Sequence, residues 1–366
     1  MKKAVYAGSF DPITKGHEWM IREGSKLFDK LIVSIGKNPS KKSTFSLDEK
    51  LEMIKKSTKD LSNVEIDDFE HKFLVNYAES KNASHILRGI RSENDYGYEK
   101  GMRNINGDLK PGITSIFLMP PRELGEISSS LVKGLVGPEE WEEVIERYIS
   151  RDVYNRFLVK FNGLENKFKD SWKNIGAKTT GEQEYKELLD LYGQPHRAYH
   201  NFVHIAHTLR EIEKVSEHLR NPELTKIATW YHDAIYNTER TDNEEKSKEL
   251  AEKRMYKAGI EKPVINKINS MVLTTNPNKV PKTNDATFLS DADIAILGKP
   301  PEIFDDYEKD IRFEYNRVPE ETFRKKRKDV LQIFLNRDNI YSTDYFWKKY
   351  EKKARENLKK SIGNLS

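Results

Sequence analysis

The chain has 366 residues, of which 36% are hydrophobic and 33% charged, and its net charge is +4. That length suits two domains, and so balanced a charge argues against nucleic acid as a main partner. With no cysteine at all, disulfides, thiolate catalysis and cysteine-ligated zinc are removed together.

The N-terminus, MKKAVYAGSFDP, holds an apolar run too short for a secretory leader. No stretch approaches the roughly 18 apolar residues of a membrane span. A cytoplasmic protein without a membrane partner is expected. Residues 3–7 (KAVYA), 31–35 (LIVSI), 85–90 (HILRGI) and 114–119 (TSIFLM) read as strands, and HEWMIREGSKLF between the first two reads as a helix. Strands alternating with helices imply a parallel sheet with crossover helices, up to about residue 135. From residue 139 the text is helical to the end. The fold class expected is α/β plus all-α. The boundary is placed near Asn162–Gly163, with the loop Gly176–Gly181 as a second candidate.

Four elements in the first half carry the chemistry of phosphate binding. Gly8-Ser9-Phe10-Asp11-Pro12 and Thr14-Lys15-Gly16-His17 follow a strand and open a helix, whose N-terminal amides favour anions. Pro39-Ser40-Lys41-Lys42 follows the second strand, at the sheet edge where ligands bind in such folds. Leu87-Arg88-Gly89-Ile90-Arg91 offers the planar arginine fork. Ile127-Ser128-Ser129-Ser130 supplies hydroxyls and amides before an apolar run. Each has a plainer reading: Thr14 and the serines as helix caps, the lysine pair and arginine as solvated charge.

Taken together, GSFDPITKGH, NPSKK, ILRGIR and ISSSLVK resemble bacterial phosphopantetheine adenylyltransferase, from residue 1 to about 135 and more weakly to 160. The resemblance implies a Rossmann-like nucleotidyltransferase domain over 1–160. It would transfer adenylyl from ATP, with Mg²⁺, to 4′-phosphopantetheine and release pyrophosphate. By the same resemblance His17, Lys41 and Arg88 are catalytic. Gly8, Ser9, Phe10, Gly16, His17, Glu99, Ser128, Ser129 and Ser130 surround ATP, while Ser9, Lys41, Phe73, Leu74, Asn76 and Arg88 hold the acceptor. The family commonly forms hexamers, so a homo-oligomer is implied. Ser9 stands where the family has threonine and Ala7 where it has proline, and Gly101-Met102-Arg103-Asn104 and Leu124-Gly125 also depart from its pattern.

The second half holds most of the histidines. His196, His200 and His204 are four apart and His207 three further on, a spacing that in a helix gathers them toward one face. Trp230-Tyr231-His232-Asp233-Ala234 follows, in what reads as a helix, and Asp291 and Asp293 lie in FLSDADIAILG. Histidine and carboxylate without cysteine suit a hydrolytic divalent site for zinc, manganese, iron or magnesium. The plainer reading is core or surface histidines.

The segments PHRAYHNFVHI, WYHDAIYN, NEEKS, SDADIAILG and IRFEYNRV resemble the HD superfamily of metal-dependent phosphohydrolases, over 163–366. That resemblance implies His204, His232, Asp233 and Asp293 as ligands of a divalent metal, with Asp291 as the alternative fourth. It implies His200 as the acid that protonates the leaving group. Glu244 and Ser247 are candidate pocket residues, and Arg312 and Arg324 candidate phosphate holders or surface charge. A bifunctional enzyme is the main expectation. The alternative is an adenylyltransferase for another phosphorylated acceptor, with the HD half as a regulatory ligand sensor.

Overall fold

The computed structural model describes residues 1–37, 42–138, 141–276 and 279–365. It divides into two compact units, Met1–Phe161 and Asn162–Ser366. No helix among the described residues is long and apolar enough to cross a membrane.

The first unit alternates β1 (Lys3–Gly8), α1 (Lys15–Leu27), β2 (Lys30–Gly36), α2 (Leu47–Ser57), β3 (Val64–Phe69), α3 (Leu74–Ser80), β4 (His85–Gly89), α4 (Glu93–Leu109) and β5 (Thr114–Leu118). Short helices α5 (Arg122–Gly125), α6 (Ser129–Gly134) and α7 (Trp141–Ile145) lead into α8 (Arg151–Phe161). All strand pairs are parallel, in the order β3-β2-β1-β4-β5. This is the Rossmann-like doubly wound order. The chain steps outward from β1 through β2 to β3, then returns to the other side of β1. The gap between β1 and β4 is therefore the switch point, where ligands bind beyond the carboxyl ends of the strands.

The three inner strands β1, β2 and β4 are apolar along their middles, as strands covered on both faces must be: Val5, Ile32, Val33 and Ile86 are fully buried. Helix α2 starts with a reciprocal cap, Ser46 Oγ accepting from Glu49 N at 3.2 Å and Glu49 Oε2 accepting from Ser46 N at 2.7 Å.

Two elements here escape apolar periodicity. β3, read VEIDDF, is an edge strand half-buried along its length, so it carries acids where a central strand carries valines. α4 has glycine at 97, 101 and 107, and its buried residues are Glu99 and Asn106. It is a helix anchored by polar groups, with no apolar stripe to announce it.

The second unit is helix-rich: α9 (Leu164–Asn174), α10 (Glu182–Tyr192), α11 (Phe202–Lys214), α12 (Pro222–Tyr231), α13 (Asn243–Lys257), α14 (Lys262–Leu273), α15 (Asn284–Asp293), α16 (Pro301–Glu314), α17 (Glu320–Leu335) and α18 (Asp344–Asn364). Short 3₁₀ turns lie at Ser216–His218 and Ile294–Gly298. Its core is aromatic. Trp172 and Trp230 are almost fully buried, and Phe168 stacks on Trp172 at 5.5 Å and meets Trp230 edge-on at 5.4 Å.

The structure corrects two expectations about the histidines. α11 begins at Phe202, so His196 and His200 precede it and only His204 and His207 are helical. Asn201 stops the helix from starting earlier, its side chain accepting from Val203 N at 2.8 Å. α12 ends at Tyr231, so His232 and Asp233 stand at its carboxyl end.

Candidate active sites

In the first unit the loop after β1 is tied down by Asp11. Its buried carboxylate accepts from Thr44 N (3.0 Å), Phe45 N (2.9 Å) and Lys133 Nζ (2.9 Å). Burial alone would raise its pKa, but Lys133 and the two amides hold it below the usual value. One carboxylate thus joins the GSFDP loop, the chain entering α2, and α6. The motif itself gave no sign of this, because the partners lie 33 to 122 residues away.

His17 sits in the first turn of α1 and folds back on the preceding turn. Thr14 N donates to His17 Nδ1 at 3.1 Å, and Thr14 Oγ1 lies 2.9 Å from the same nitrogen. A nitrogen that accepts from an amide carries no proton, so the ring hydrogen is on Nε2. Burial, helped by the charge of Arg91, pushes the His17 pKa down to about 4. The ring is therefore a neutral Nε2–H donor near pH 7. It packs edge-on against Phe10, centroids 5.2 Å apart. At Gly16 an added Cβ would lie 3.3 Å from Leu124 O and 3.4 Å from Ile127 O. A side chain there would press α1 a few tenths of an ångström away from that segment.

Arg88 projects from β4 across the switch point. Its Nε donates to Glu99 Oε2 at 2.8 Å, a second guanidinium nitrogen pairs with Oε1, and Nη1 donates to Ala7 O at 3.0 Å. A cavity of about 240 Å³ opens beside it, lined from the strand ends by Gly8, Gly36 and Arg88 and by Leu74 of α3. Glu99, Tyr98, Met102 and Asn106 of α4 form the other wall.

The remaining residues of this site fall in different places. Leu74 lines the cavity, while Phe73 and Asn76 are exposed and are not among its lining residues. Ser9 is exposed at the loop tip. Ser128 caps α6, accepting from Leu131 N at 3.1 Å, Ser129 Oγ donates to Pro12 O at 2.6 Å, and Ser130 is exposed. Lys41, with most of NPSKK, lies outside the described residues.

In the second unit His204, His232 and Asp233 offer ligand atoms that all lie within 4.8 Å of one another. Asp293 joins them. His204 Nε2 is 3.1 Å from His232 Nε2, and Asp293 Oδ1 is 2.9 Å and 3.1 Å from those two nitrogens. Asp233 Oδ2 is 3.2 Å from His232 Nε2 and 3.6 Å from that of His204. His232 Nδ1 donates to Thr229 O at 2.8 Å, which turns the Nε2 lone pair into the cluster. Two imidazoles and two carboxylates converging in this way fit a divalent cation. Burial would raise the Asp293 pKa, but His232 and His204 bring it down to about 2.

Asp291 serves a different purpose, accepting from Ser342 N at 3.0 Å and from Thr343 N and Oγ1 at 2.7 Å. It fixes the entry to α18. Arg312 is engaged with Glu320 and Tyr315 O, and Arg324 with Asn364 O. Ser247 Oγ accepts from Ile235 N at 2.9 Å and donates back to Ile235 O, a buried clasp. Glu244 is half-buried, its pKa raised by burial and by Asp233.

His200 stands beside the cluster, held by a residue that spacing did not reveal. Glu314 Oε2 lies 2.7 Å from His200 Nδ1 and accepts from Tyr236 OH at 2.8 Å. Glu314 Oε1 accepts three successive amides, Ala198, Tyr199 and His200, at 2.8 to 2.9 Å. Tyr236 stacks on the His200 ring at 4.1 Å. Burial would lower the His200 pKa, but Glu314 raises it; the Glu314 carboxyl, despite its own burial, comes down to about 2. Glu314 thus favours the protonated form of His200. Arg197 completes the frame, donating to His200 O (3.1 Å), Asp233 O (2.7 Å) and Ala234 O (2.8 Å). A cavity of about 780 Å³ adjoins, walled in part by His196, Arg197, Tyr236 and Glu314.

A parallel sheet with a phosphate-compatible loop and helix at its switch point defines the class of the first unit. Residues 5–135 match the cytidylyltransferase-like family. The phosphopantetheine adenylyltransferase of Chromobacterium violaceum is 54% identical over 162 residues, covering 44% of this chain and 99% of that protein. The enzyme of the same name from Neisseria meningitidis serogroup C is 55% identical over 159 residues, 43% of this chain and 94% of that protein. That from Caldanaerobacter subterraneus is 42% identical over 161 residues, 44% of this chain and 98% of that protein. Through its first 160 or so residues, the chain belongs to the phosphopantetheine adenylyltransferase family.

Proposed function

We propose that the first unit, residues 1–160, joins the adenylyl group of ATP to 4′-phosphopantetheine, giving dephospho-coenzyme A and pyrophosphate. The observation that carries this is the placement of His17 and Arg88 on either side of the switch point, in a unit that spans nearly the whole of its relatives. The acceptor phosphate attacks the α-phosphorus of ATP in line, so no covalent enzyme intermediate is needed. His17 donates Nε2–H to a phosphate oxygen. The amides at the start of α1 add partial positive charge, and Arg88 and Lys41 neutralise the reacting groups. Magnesium on the triphosphate would offset its charge in the same step. Incubation of purified protein with ATP and phosphopantetheine, with dephospho-coenzyme A as the readout, tests this. Turnover of only another acceptor would overturn the choice of acceptor and keep the transfer class.

We infer that residues 163–366 are an HD-type phosphohydrolase. The convergence of His204, His232, Asp233 and Asp293 supports this reading. A divalent ion held there would supply an activated water and polarise a phosphoryl oxygen. His200, whose protonated form Glu314 favours, gives its proton to the leaving oxygen. Metal analysis with hydrolysis of a phosphoester panel tests the reading, and a protein that takes up no metal would overturn it.

Glu314→Gln is expected to lower that hydrolysis by about 10- to 100-fold while leaving metal content unchanged. The sign of its pH effect follows from His200. Glu314 raises the His200 pKa, so removing its charge lowers it. The alkaline limb of the rate profile then moves to lower pH, which a pH–rate series would show.

A further inference from the structure

Arg197 is only 6% exposed. An arginine keeps its proton in any protein setting, so the cost of burying its charge cannot be relieved by neutralisation. Its acceptors are all neutral. Nε donates to Gln194 Oε1 at 3.2 Å, and the two terminal nitrogens donate to the carbonyls of His200, Asp233 and Ala234. Nη2 donates once, to Ala234 O, and has a second hydrogen to give. The rings of Tyr192 and Tyr236 lie 5.1 and 5.6 Å from the guanidinium carbon, which offsets part of the burial cost. The acids nearby are committed elsewhere. Glu314 serves three amides, His200 and Tyr236, and Asp233 Oδ2 faces His232 and His204. Among the described residues Arg197 forms no ion pair.

The same side chain lines the cavity of about 780 Å³. That volume lies within the roughly 300 to 1,000 Å³ of small-molecule sites. Most charges on its wall are already matched: Lys246 with Glu249 at 2.7 Å, Arg240 with Asp242 at 2.7 Å and Arg317 with Glu239 at 3.4 Å. Lys253 of α13, exposed on the same wall, forms no ion pair among the described residues. The cavity therefore holds two unmatched positive charges, one of them buried. Neither His200 nor any of the four residues of the metal cluster lines it.

We propose that this cavity binds a small acidic metabolite, its phosphate or carboxylate head on Arg197 and its polar body reaching toward Lys253. The site is separate from the metal cluster and touches it only through Arg197, which holds the backbone of His200 and Asp233. It stands whether or not the second unit is a hydrolase.

The test is calorimetric binding of ribose 5-phosphate, gluconate and ribose to the full chain in excess chelator, so that no metal takes part. At least one of the two acids is expected to bind about tenfold tighter than the neutral sugar, and their ranking tells phosphate from carboxylate. Leu250→Trp fills the cavity and removes the preference. Lys253→Glu reverses the charge on the wall and weakens the acids. Arg197→Lys keeps the charge but loses the planar fork, and weakens them further; the first two variants serve if it does not fold. Deuterium exchange with the better acid is expected to show protection over residues 234–240. Equal affinity for all three probes, a preference that survives Leu250→Trp and Lys253→Glu, or protection confined to residues 1–161 overturns the site.

Discussion

His17→Ala is expected to lower kcat for adenylyl transfer by about 10²- to 10³-fold, the usual loss on removing one preorganised donor to a developing oxyanion. KM for ATP should move less, because the α1 amides and Arg88 still meet the phosphates. Fold is expected to survive, since among the described residues the ring contributes its two return contacts to Thr14 and one aromatic edge. The pH dependence separates two roles. With its pKa at about 4, His17 is neutral from about pH 5 upward, so a donor acting through Nε2–H gives no loss of rate between pH 5 and 8 from this group. A role that needed the charged ring would instead show the rate falling steadily across that range. Steady-state kinetics of both proteins from pH 5 to 8 decide the matter. Near-normal turnover by the alanine variant would remove His17 from the mechanism.

The second large effect is expected at the metal cluster. His232→Ala and Asp233→Ala should each abolish stoichiometric metal uptake, and with it hydrolysis in the second unit. The reason is mutual orientation. His232 is aimed by Thr229, and Asp233 is fixed through its backbone by Arg197, so each ligand is held for its own position in the cluster. Asp291→Asn, two residues from Asp293, should keep its metal, because Asp291 faces the start of α18. Elemental analysis of the three variants gives the answer, and full metal content in Asp233→Ala would sink the site. Uptake should also weaken as the solution is acidified. The carboxylates favour a proton on His232, and a metal ion must displace that proton.

Much of this could be read before any coordinates. The apolar strands β1, β2, β4 and β5 announce themselves by run length, and GSFDPITKGH lies where a strand meets a helix. What was hidden has a common cause. β3 and α4 are held by polar contacts, so apolar periodicity, which reports burial of carbon, passes over them. Four histidines at helical spacing suggested one helix, but Asn201 begins it only after His200. Glu314, Arg197 and Asp11 act on backbone amides and carbonyls far along the chain. Such partnerships leave no spacing signal, because any residue's backbone can be the partner.

α4 has a consequence for time rather than geometry. It forms a wall of the 240 Å³ cavity, yet three glycines interrupt it and its buried anchors are Glu99 and Asn106. Each interior glycine weakens a helix by about 1 kcal/mol relative to alanine. Opening this helix locally should therefore need far less free energy than opening the sheet behind it. Its amides would exchange with solvent deuterium well before those of β1 and β4. A ligand seated against Glu99 and Asn106 would slow them selectively, so the wall of the cavity is completed by what enters it.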